Sequence, residues 1–427
     1  MKEYTFAYGS GSVTIPLDEN QVQAEVYGND VPAVPDIRSA VRRSLDEPIG
    51  REALRRCIKP EDNVALIISD MSRFWMRQDL VVPCLVEYLL DDCGLSADNV
   101  TILVANGTHP GGSEEELRTL VTDAVYERVR VVNHDCRADG MAVLGTTTFG
   151  TEVSVNAAAV RADLCLCLGA ATYHVMAGFG GGRKSILPGI SSEKTIKQNH
   201  ALSLDKTKLR SNPLIGNGKT ENNPLNLDML EAAGMMKNLF MVNLVVNAWE
   251  QLCAVFSGHY ITSWERACRE VERVYQVAIE EKTDVVVAGC GGYPRDMSLY
   301  QGTKAIDNVE SALKPGGTLI LVIEARDGGG PEEYFGWCRN LADGSIEKRL
   351  REAFTVAGYI FFLNCEQARR YRVMLLSGIN PEETAPMGIE TYRNVEELLA
   401  HADLEGRSIT VITNAGSVVP VVRERLP

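Results

Sequence analysis

The chain has 427 residues, 45% of them hydrophobic, and a formal net charge of −14, a length beyond what one hydrophobic core usually serves and therefore one that predicts two or three domains. No apolar run approaches the roughly 20 residues of a membrane helix, and the opening Met1–Phe6 lacks the apolar core of a signal peptide, so a cytoplasmic protein is expected. The negative charge argues against nucleic acid or an anionic membrane as partner, since both are bound through basic surface; a small anionic substrate would need a local cluster of Arg and Lys.

In chain order, Val64–Asp70, Val100–Gly107, Val129–Asn133 and Ala162–Gly169 read as buried strands, with helical composition over Glu114–Asp123. This is the βαβ pattern of an α/β fold with largely parallel sheets covered on both faces. Ser263–Ala278 spaces its apolar residues at helical intervals and marks the passage between domains. Asp284–Gly289, Gly317–Ile323, Tyr359–Leu363, Arg372–Leu376 and Ile409–Thr413 then restart the strand pattern. The expectation is two α/β domains, 1–262 and 263–427, with an active-site cleft between them. Eleven cysteines include no C-x-x-C pair and sit mostly in apolar segments, which reads as reduced core residues.

Ligands of open parallel sheets collect beyond the carboxyl ends of the strands, and Asp70, His109 and Tyr173-His174 fall at such ends. The segment Gly178–Ser185 resembles a phosphate cradle in which glycines expose N–H groups and Lys184 adds charge. It is not a Walker A motif, because Arg183 stands where Gly must precede the Lys, and the glycine spacing is not that of a Rossmann fingerprint. A plain glycine turn stays open as the alternative. His109 and His174, at two strand ends, suit one base and one acid near neutral pH, although each taken singly reads as a loop histidine with a satisfied hydrogen bond. His200, on a helix after Pro188-Gly189, is a ligand type for nickel, zinc or iron, but one imidazole cannot hold a metal tightly, which points to a cofactor bringing the other donors. Arg73 and Lys304 supply basic groups from the two expected domains, Arg as a bidentate clamp for a carboxylate and Lys as a point charge.

Together these pieces make the chain similar to the nickel-dependent lactate racemase family: Asp70-x-Ser72-Arg73, Gly107-Thr108-His109, Tyr173-His174, Gly180–Lys184 with Pro188-Gly189, His200, and Gly292-Tyr293-Pro294 leading to Tyr300-Gln301-x-x-Lys304. The resemblance runs over nearly the whole chain. It implies a two-domain racemase or epimerase acting at C2 of a small anionic 2-hydroxy acid with a nickel pincer nucleotide, pyridinium-3-thioamide-5-thiocarboxylic acid mononucleotide carrying nickel. It further implies that Lys184 holds this cofactor through a thioamide, that His200 gives nickel its fourth ligand, and that Gly181, Gly182 and Ser185 line the cofactor. His109 and His174 match the family's acid/base pair, and Asp70, Ser72, Arg73, Tyr300, Gln301 and Lys304 match substrate-binding positions. Cofactor-making enzymes are then partners, and a homodimer is left open.

The implied chemistry suits this inventory, because removing the α-hydrogen as a proton would put carbanion charge beside a carboxylate, whereas removing it as hydride does not. In that scheme one histidine deprotonates the substrate hydroxyl, the other serves the opposite enantiomer, and the protein positions and shields the cofactor. Family members commonly have Pro after the Arg of the first motif and Arg after the His of the second; this chain has Phe74-Trp75 and Pro110. The loss of a basic group and the gain of aromatics near a pocket entrance put lactate itself in doubt and point to a larger or more apolar 2-hydroxy acid, with sugar acids and dicarboxylates left open. Two rival readings are a nucleotide-dependent transferase or dehydrogenase using the Gly-rich loop, and a non-catalytic small-acid-binding family member.

Overall fold

The computed structural model describes residues 1–423. Grouped by contacts, the chain forms two compact units whose segments alternate along the sequence: one takes Val31–Ser203 and Pro213–Val274, the other Met1–Asp30, Leu204–Asn212 and Tyr275 onward. A single boundary at 262/263 therefore differs from this grouping over three segments, 1–30, 204–212 and 263–274. Strand Val22–Val26 pairs in parallel with Ile409–Ile412, which carries the N-terminal residues into the second unit. Helix Thr262–Tyr275 stays with the first unit, where the Trp264 indole N–H donates to the Gly180 carbonyl at 2.8 Å.

The first unit is built on a six-stranded sheet in the order Leu252–Gly258, Leu239–Val246, Leu164–Ala170, Val64–Ser69, Val100–Ala105 and Arg130–Asn133. All neighbours are parallel except the first pair. Strands Leu164–Ala170 and Leu239–Val246 are buried along their whole length, as near-continuous apolar runs require when helices cover both faces. The helices have clear start signals. Ser113 and Glu116 close a capping box on Glu114–Val121, and Ser192 caps Glu193–Ala201, which carries His200 as expected.

The second unit has its own six-stranded parallel sheet, ordered Ile389–Tyr392, Arg372–Leu376, Leu313–Val322, Thr283–Gly289, Ile409–Ile412 and Val22–Val26. The hairpin of Lys2–Tyr8 and Gly11–Leu17 lays Tyr4, Phe6, Ile15 and Leu17 against Val285, Val287 and Ile320 of this sheet. The expected strand Tyr359–Leu363 is instead the centre of helix Val356–Arg370, started by the Thr355 hydroxyl accepting from the Gly358 N–H. Its apolar run is buried all round, and periodicity alone cannot tell such a helix from a buried strand. Among the described residues no helix is long and apolar enough to cross a membrane, and the eleven cysteines are free thiols.

Candidate active site

The site residues of the first unit lie at the carboxyl ends of three adjacent strands, Leu164–Ala170, Val64–Ser69 and Val100–Ala105. After Val64–Ser69 the chain turns through a 3-10 helix, Met71–Met76, and there Asp70, Ser72 and Arg73 form a relay. Arg73 Nη1 donates to the Ser72 hydroxyl at 3.1 Å, Ser72 donates to one Asp70 oxygen at 2.6 Å, and the other Asp70 oxygen faces His109 Nδ1 at 2.6 Å. Burial pushes the Asp70 carboxyl up, but hydrogen bonds from His109 and Ser72 and the nearby Arg73 charge outweigh it and hold the group below the ordinary carboxylate value. A carboxylate at Nδ1 keeps hydrogen on that nitrogen and leaves His109 Nε2 with a free lone pair, the arrangement of an oriented general base. The His109 side chain is 50% exposed, so this nitrogen is reachable. Gly107 donates its N–H to the Gly189 carbonyl at 3.0 Å, tying the histidine turn to the Pro188-Gly189 bend.

After Leu164–Ala170 the chain makes the short pair Tyr173–His174 and Gly178–Phe179 and then the glycine loop. His174 Nδ1 accepts from two backbone N–H groups, Met176 at 3.1 Å and Ala177 at 3.2 Å, and its Nε2 lies 2.6 Å from Lys184 Nζ. His200 is 7% exposed, and its Nδ1 donates to the Ile196 carbonyl at 3.0 Å. Burial, with the Lys184 charge acting in the same direction, pushes His200 down to about 4. It is therefore a neutral imidazole at physiological pH with its Nε2 lone pair unused by that bond, the form that ligates a borderline metal. Among the described residues no group of three His, Cys, Asp or Glu side chains gathers to hold a metal ion. His200 thus fits a metal that arrives with its other donors attached, and Lys184 supplies the amine that a covalent tether needs.

The glycine loop differs from a phosphate cradle in where its N–H groups point. Gly180 donates to the Thr172 carbonyl at 2.7 Å and Gly182 to Asn243 Oδ1 at 2.9 Å. A Cβ on Gly182, at φ +52, would lie 2.8 Å from the Trp264 ring, and one on Gly181, at φ +71, would meet the Ala170 backbone at 3.0 Å. Glycine is required at both places for close packing. Ser185 is buried behind them. Arg183 is fully buried, with its guanidinium 3.9 Å over the Trp264 ring and donating to Asn226 Oδ1 and to the carbonyls of Ala177, Gly180 and Gly181.

The sequence reading missed these supports. Asn243 is a lone amide inside the apolar strand Leu239–Val246, and that isolation was the available signal. Buried Asp228 accepts from Thr151 and Asn199, each at 2.8 Å, and so steadies the helix next to His200. Phe74 and Trp75, read as aromatics at a pocket entrance, pack half-buried against the hydrophobic core. Tyr300, Gln301 and Lys304 belong to the second unit, in the first two turns of helix Leu299–Val309; the Ser298 hydroxyl caps it by accepting from the Gln301 N–H, and Lys304 Nζ lies 3.4 Å from Gln301 Oε1.

The chain is similar to known proteins over most of its length. Residues 8–212 match the lactate racemase N-terminal domain and residues 278–420 the lactate racemase C-terminal domain. Lactate racemase of Thermoanaerobacterium thermosaccharolyticum is 33% identical over 304 residues, 71% of this chain and 69% of that protein. Lactate racemase of Lactiplantibacillus plantarum is 31% identical over 344 residues, 79% of this chain and 77% of that one. The solved apoprotein of the Thermoanaerobacterium enzyme superposes with a TM-score of 0.87 at 28% identity, covering 99% of this chain and all of the other. Matched by family models on either side of residues 213–277, and about one-third identical to two racemases over most of their length, this chain belongs to the lactate racemase family of isomerases.

Proposed function

We propose that the protein interconverts the stereoisomers of a small 2-hydroxy acid at C2, with a nickel pincer nucleotide tethered to Lys184 and with His109 and His174 as the acid/base pair at the substrate hydroxyl. The observation that carries this reading is the convergence on one loop cluster of an amine, Lys184, with two imidazoles of distinct chemistry: His174 at 2.6 Å from its Nζ, and buried His200, kept neutral partly by the Lys184 charge. Bound there, the cofactor would supply a reversible acceptor for the α-hydrogen as hydride. His200 Nε2 would ligate its metal, and Lys184 would hold it covalently. His109, backed by Asp70, takes the hydroxyl proton as the C2–H bond breaks. Arg73 would clamp the carboxylate, and Gln301 and Lys304 keep the substrate-binding roles that the resemblance implies.

Because Phe74 and Trp75 pack on the core, the sequence argument for a larger acid loses its footing, and lactate, named in both relatives, is the first substrate to test. The chain would be expressed with the cofactor-making enzymes, checked for nickel and for an adduct on Lys184 by intact mass, and given single enantiomers of lactate and other 2-hydroxy acids in deuterated water. Racemisation without deuterium at C2 supports hydride return. Extensive wash-in, or no adduct on a protein made beside the cofactor pathway, overturns the reading.

A further inference from the structure

Lys184 and His200, read above as the two ends of the cofactor site, stand on separate segments, and helix Pro224–Gly234 with its cap Asn223 holds both. On the loop side Asn223 Nδ2 donates to the Met176 carbonyl at 2.7 Å, and Asn226 Oδ1 accepts at 2.9 Å from Nε of Arg183, the neighbour of Lys184 in the chain. On the other side Asn199, the neighbour of His200, donates twice through its amide, to the Leu225 carbonyl at 3.1 Å and to Asp228 Oδ2 at 2.8 Å. Asn199 and Asp228 are both fully buried. The Asn199 amide cannot be turned over, because its oxygen would then meet a carbonyl and a carboxylate, which only accept. As placed, that oxygen is buried and has no partner among the described residues, a deficit tolerated only where the two donated bonds outweigh it.

The His200 ring is tied to its own helix, Glu193–Ala201, by the bond from Nδ1 to the Ile196 carbonyl at 3.0 Å, so the ring goes where that helix goes. The earlier turns of the helix rest on strand Glu152–Val155: the Thr195 hydroxyl donates to the Glu152 carbonyl at 2.7 Å, and Gln198 Oε1 accepts from the Glu152 N–H at 3.0 Å. The last turn, which carries His200, is tied across by Asn199. Asp228 strengthens that tie, because a carboxylate acceptor makes the bond charge-assisted, and the hydroxyls of Thr147 and Thr151 hold the carboxylate in place. We propose, resting on the functional reading above, that Asp228 is a positioning residue for the nickel ligand: through Asn199 it fixes the last turn of Glu193–Ala201 so that the His200 ring meets the metal of a cofactor anchored at Lys184. A ligand held at both ends tolerates little displacement of either, and loss of an outer partner of a metal ligand weakens metal binding by about 10- to 100-fold.

The test uses the full chain made beside the cofactor-making enzymes and reads the rate at which nickel is lost to a chelator, with the Lys184 adduct followed by intact mass. Asn199→Ala and Asp228→Ala should keep the adduct and lose nickel about ten- to a hundredfold faster. The double variant should lose it no faster than the quicker single one, because both break one link. Asp228→Asn, which keeps an oxygen toward Asn199, should stay within about fivefold of wild type; a rate as fast as that of Asp228→Ala overturns the positioning role. Thr151→Val is the control, since it removes a 2.8 Å bond from the same carboxylate oxygen without touching the helix of His200. It should lower the urea midpoint of the unloaded protein and leave nickel loss within about threefold. Nickel loss that follows the urea midpoint through all variants, this control included, reduces Asp228 to a structural residue and overturns the proposal. Should Asp228→Ala not fold, Asn199→Ala, which leaves the carboxylate with both threonines, decides in its place, and a wild-type rate there overturns the proposal.

The unloaded protein gives the second arm, labelled with nitrogen-15 at histidine and with the His200 ring assigned by His200→Gln. The His200 signals should move or split in Asn199→Ala and stay in place in Thr151→Val; unmoved signals in Asn199→Ala remove the positioning role. If the wild-type chain made beside the cofactor pathway carries neither adduct nor nickel, the functional reading fails and the role toward nickel falls with it, while the His200 signals still decide whether Asp228 and Asn199 place the ring.

Discussion

Replacing Asp70 with Asn tests the His109 base most directly, because the side chains are nearly the same size and only charge and donor pattern change. In the native chain both carboxylate oxygens accept, one from Ser72 at 2.6 Å and the other from His109 Nδ1 at 2.6 Å. An amide has one accepting oxygen. If Ser72 keeps it, the amide NH2 faces His109, Nδ1 must accept, and the ring hydrogen moves to Nε2, where it blocks proton abstraction. Losing the charge-assisted bond alone removes about 1.5–3 kcal/mol, roughly 10- to 150-fold in rate. Full tautomer reversal extends the loss to about 10⁴-fold, the size seen for the matching Asp-to-Asn change in a Ser-His-Asp triad. Asp70→Asn should therefore load cofactor normally, keep KM within about threefold and lose about 10² to 10⁴ in kcat, measured as racemisation of a single enantiomer. The direction with pH follows. The Asp70 carboxyl lies below its ordinary value, so its support is complete above the unfolded carboxylate pKa of about 4 and fades only as pH falls through the lower folded value. A kcat within about threefold of wild type would show that Asp70 does not orient His109.

Lys184→Ala should fold and show no mass adduct after co-expression with the cofactor pathway, while His109→Ala keeps the adduct and loses turnover; an adduct surviving without Lys184 would place the tether elsewhere. Gly182→Ala puts a methyl group 2.8 Å from the Trp264 ring at φ +52 and should cost about 2–4 kcal/mol, read as a lower urea midpoint of the unloaded protein, a cost that an unmoved midpoint would disprove. His134 is 1% exposed, and burial, its largest influence, pushes it down although a bond to the Ser191 carbonyl opposes this. A depressed histidine leaves stability complete above the unfolded pKa of about 6.5 and erodes it as pH falls below that value toward the folded one. His134→Gln should flatten this part of the urea-midpoint profile, and an equally steep profile would clear His134 of responsibility.

What the sequence made legible follows from how local each signal is. Strands such as Val64–Ser69 and Leu164–Ala170 announce themselves by their own β-branched and apolar runs, and parallel order then carries Asp70, His109 and His174 to the carboxyl end of one sheet. The helix Val356–Arg370 was misread because five consecutive apolar residues have no period. The interleaving of the units was hidden because strand Val22–Val26 finds its partner nearly four hundred residues away at Ile409–Ile412, and no local pattern records such a pairing. The partners of the histidine rings were equally out of reach. Nothing in the letters distinguishes a histidine facing a carboxylate from one facing two N–H groups, yet that difference separates His109 from His174.

The loop Gly178–Ser185 shows how the same residues change meaning once their partners are known. Read as sequence, Lys184 was the charge of a phosphate cradle and the glycines were its floor. In the fold, Gly181 and Gly182 are spent on packing against a strand end and an indole, and a second charge, on buried Arg183, stands beside that of Lys184. Burial pushes Arg183 down to about 9, which still leaves it protonated at neutral pH. Its hydrogen-bond partners are three carbonyls and one amide oxygen, groups that stabilise a cation without neutralising it. The loop therefore keeps a fixed positive charge one residue from Lys184, a field that favours an anionic ligand before any bond to it forms. Arg183, the residue that rules out a Walker motif, thus places a second, buried charge directly beside Lys184 in the chain.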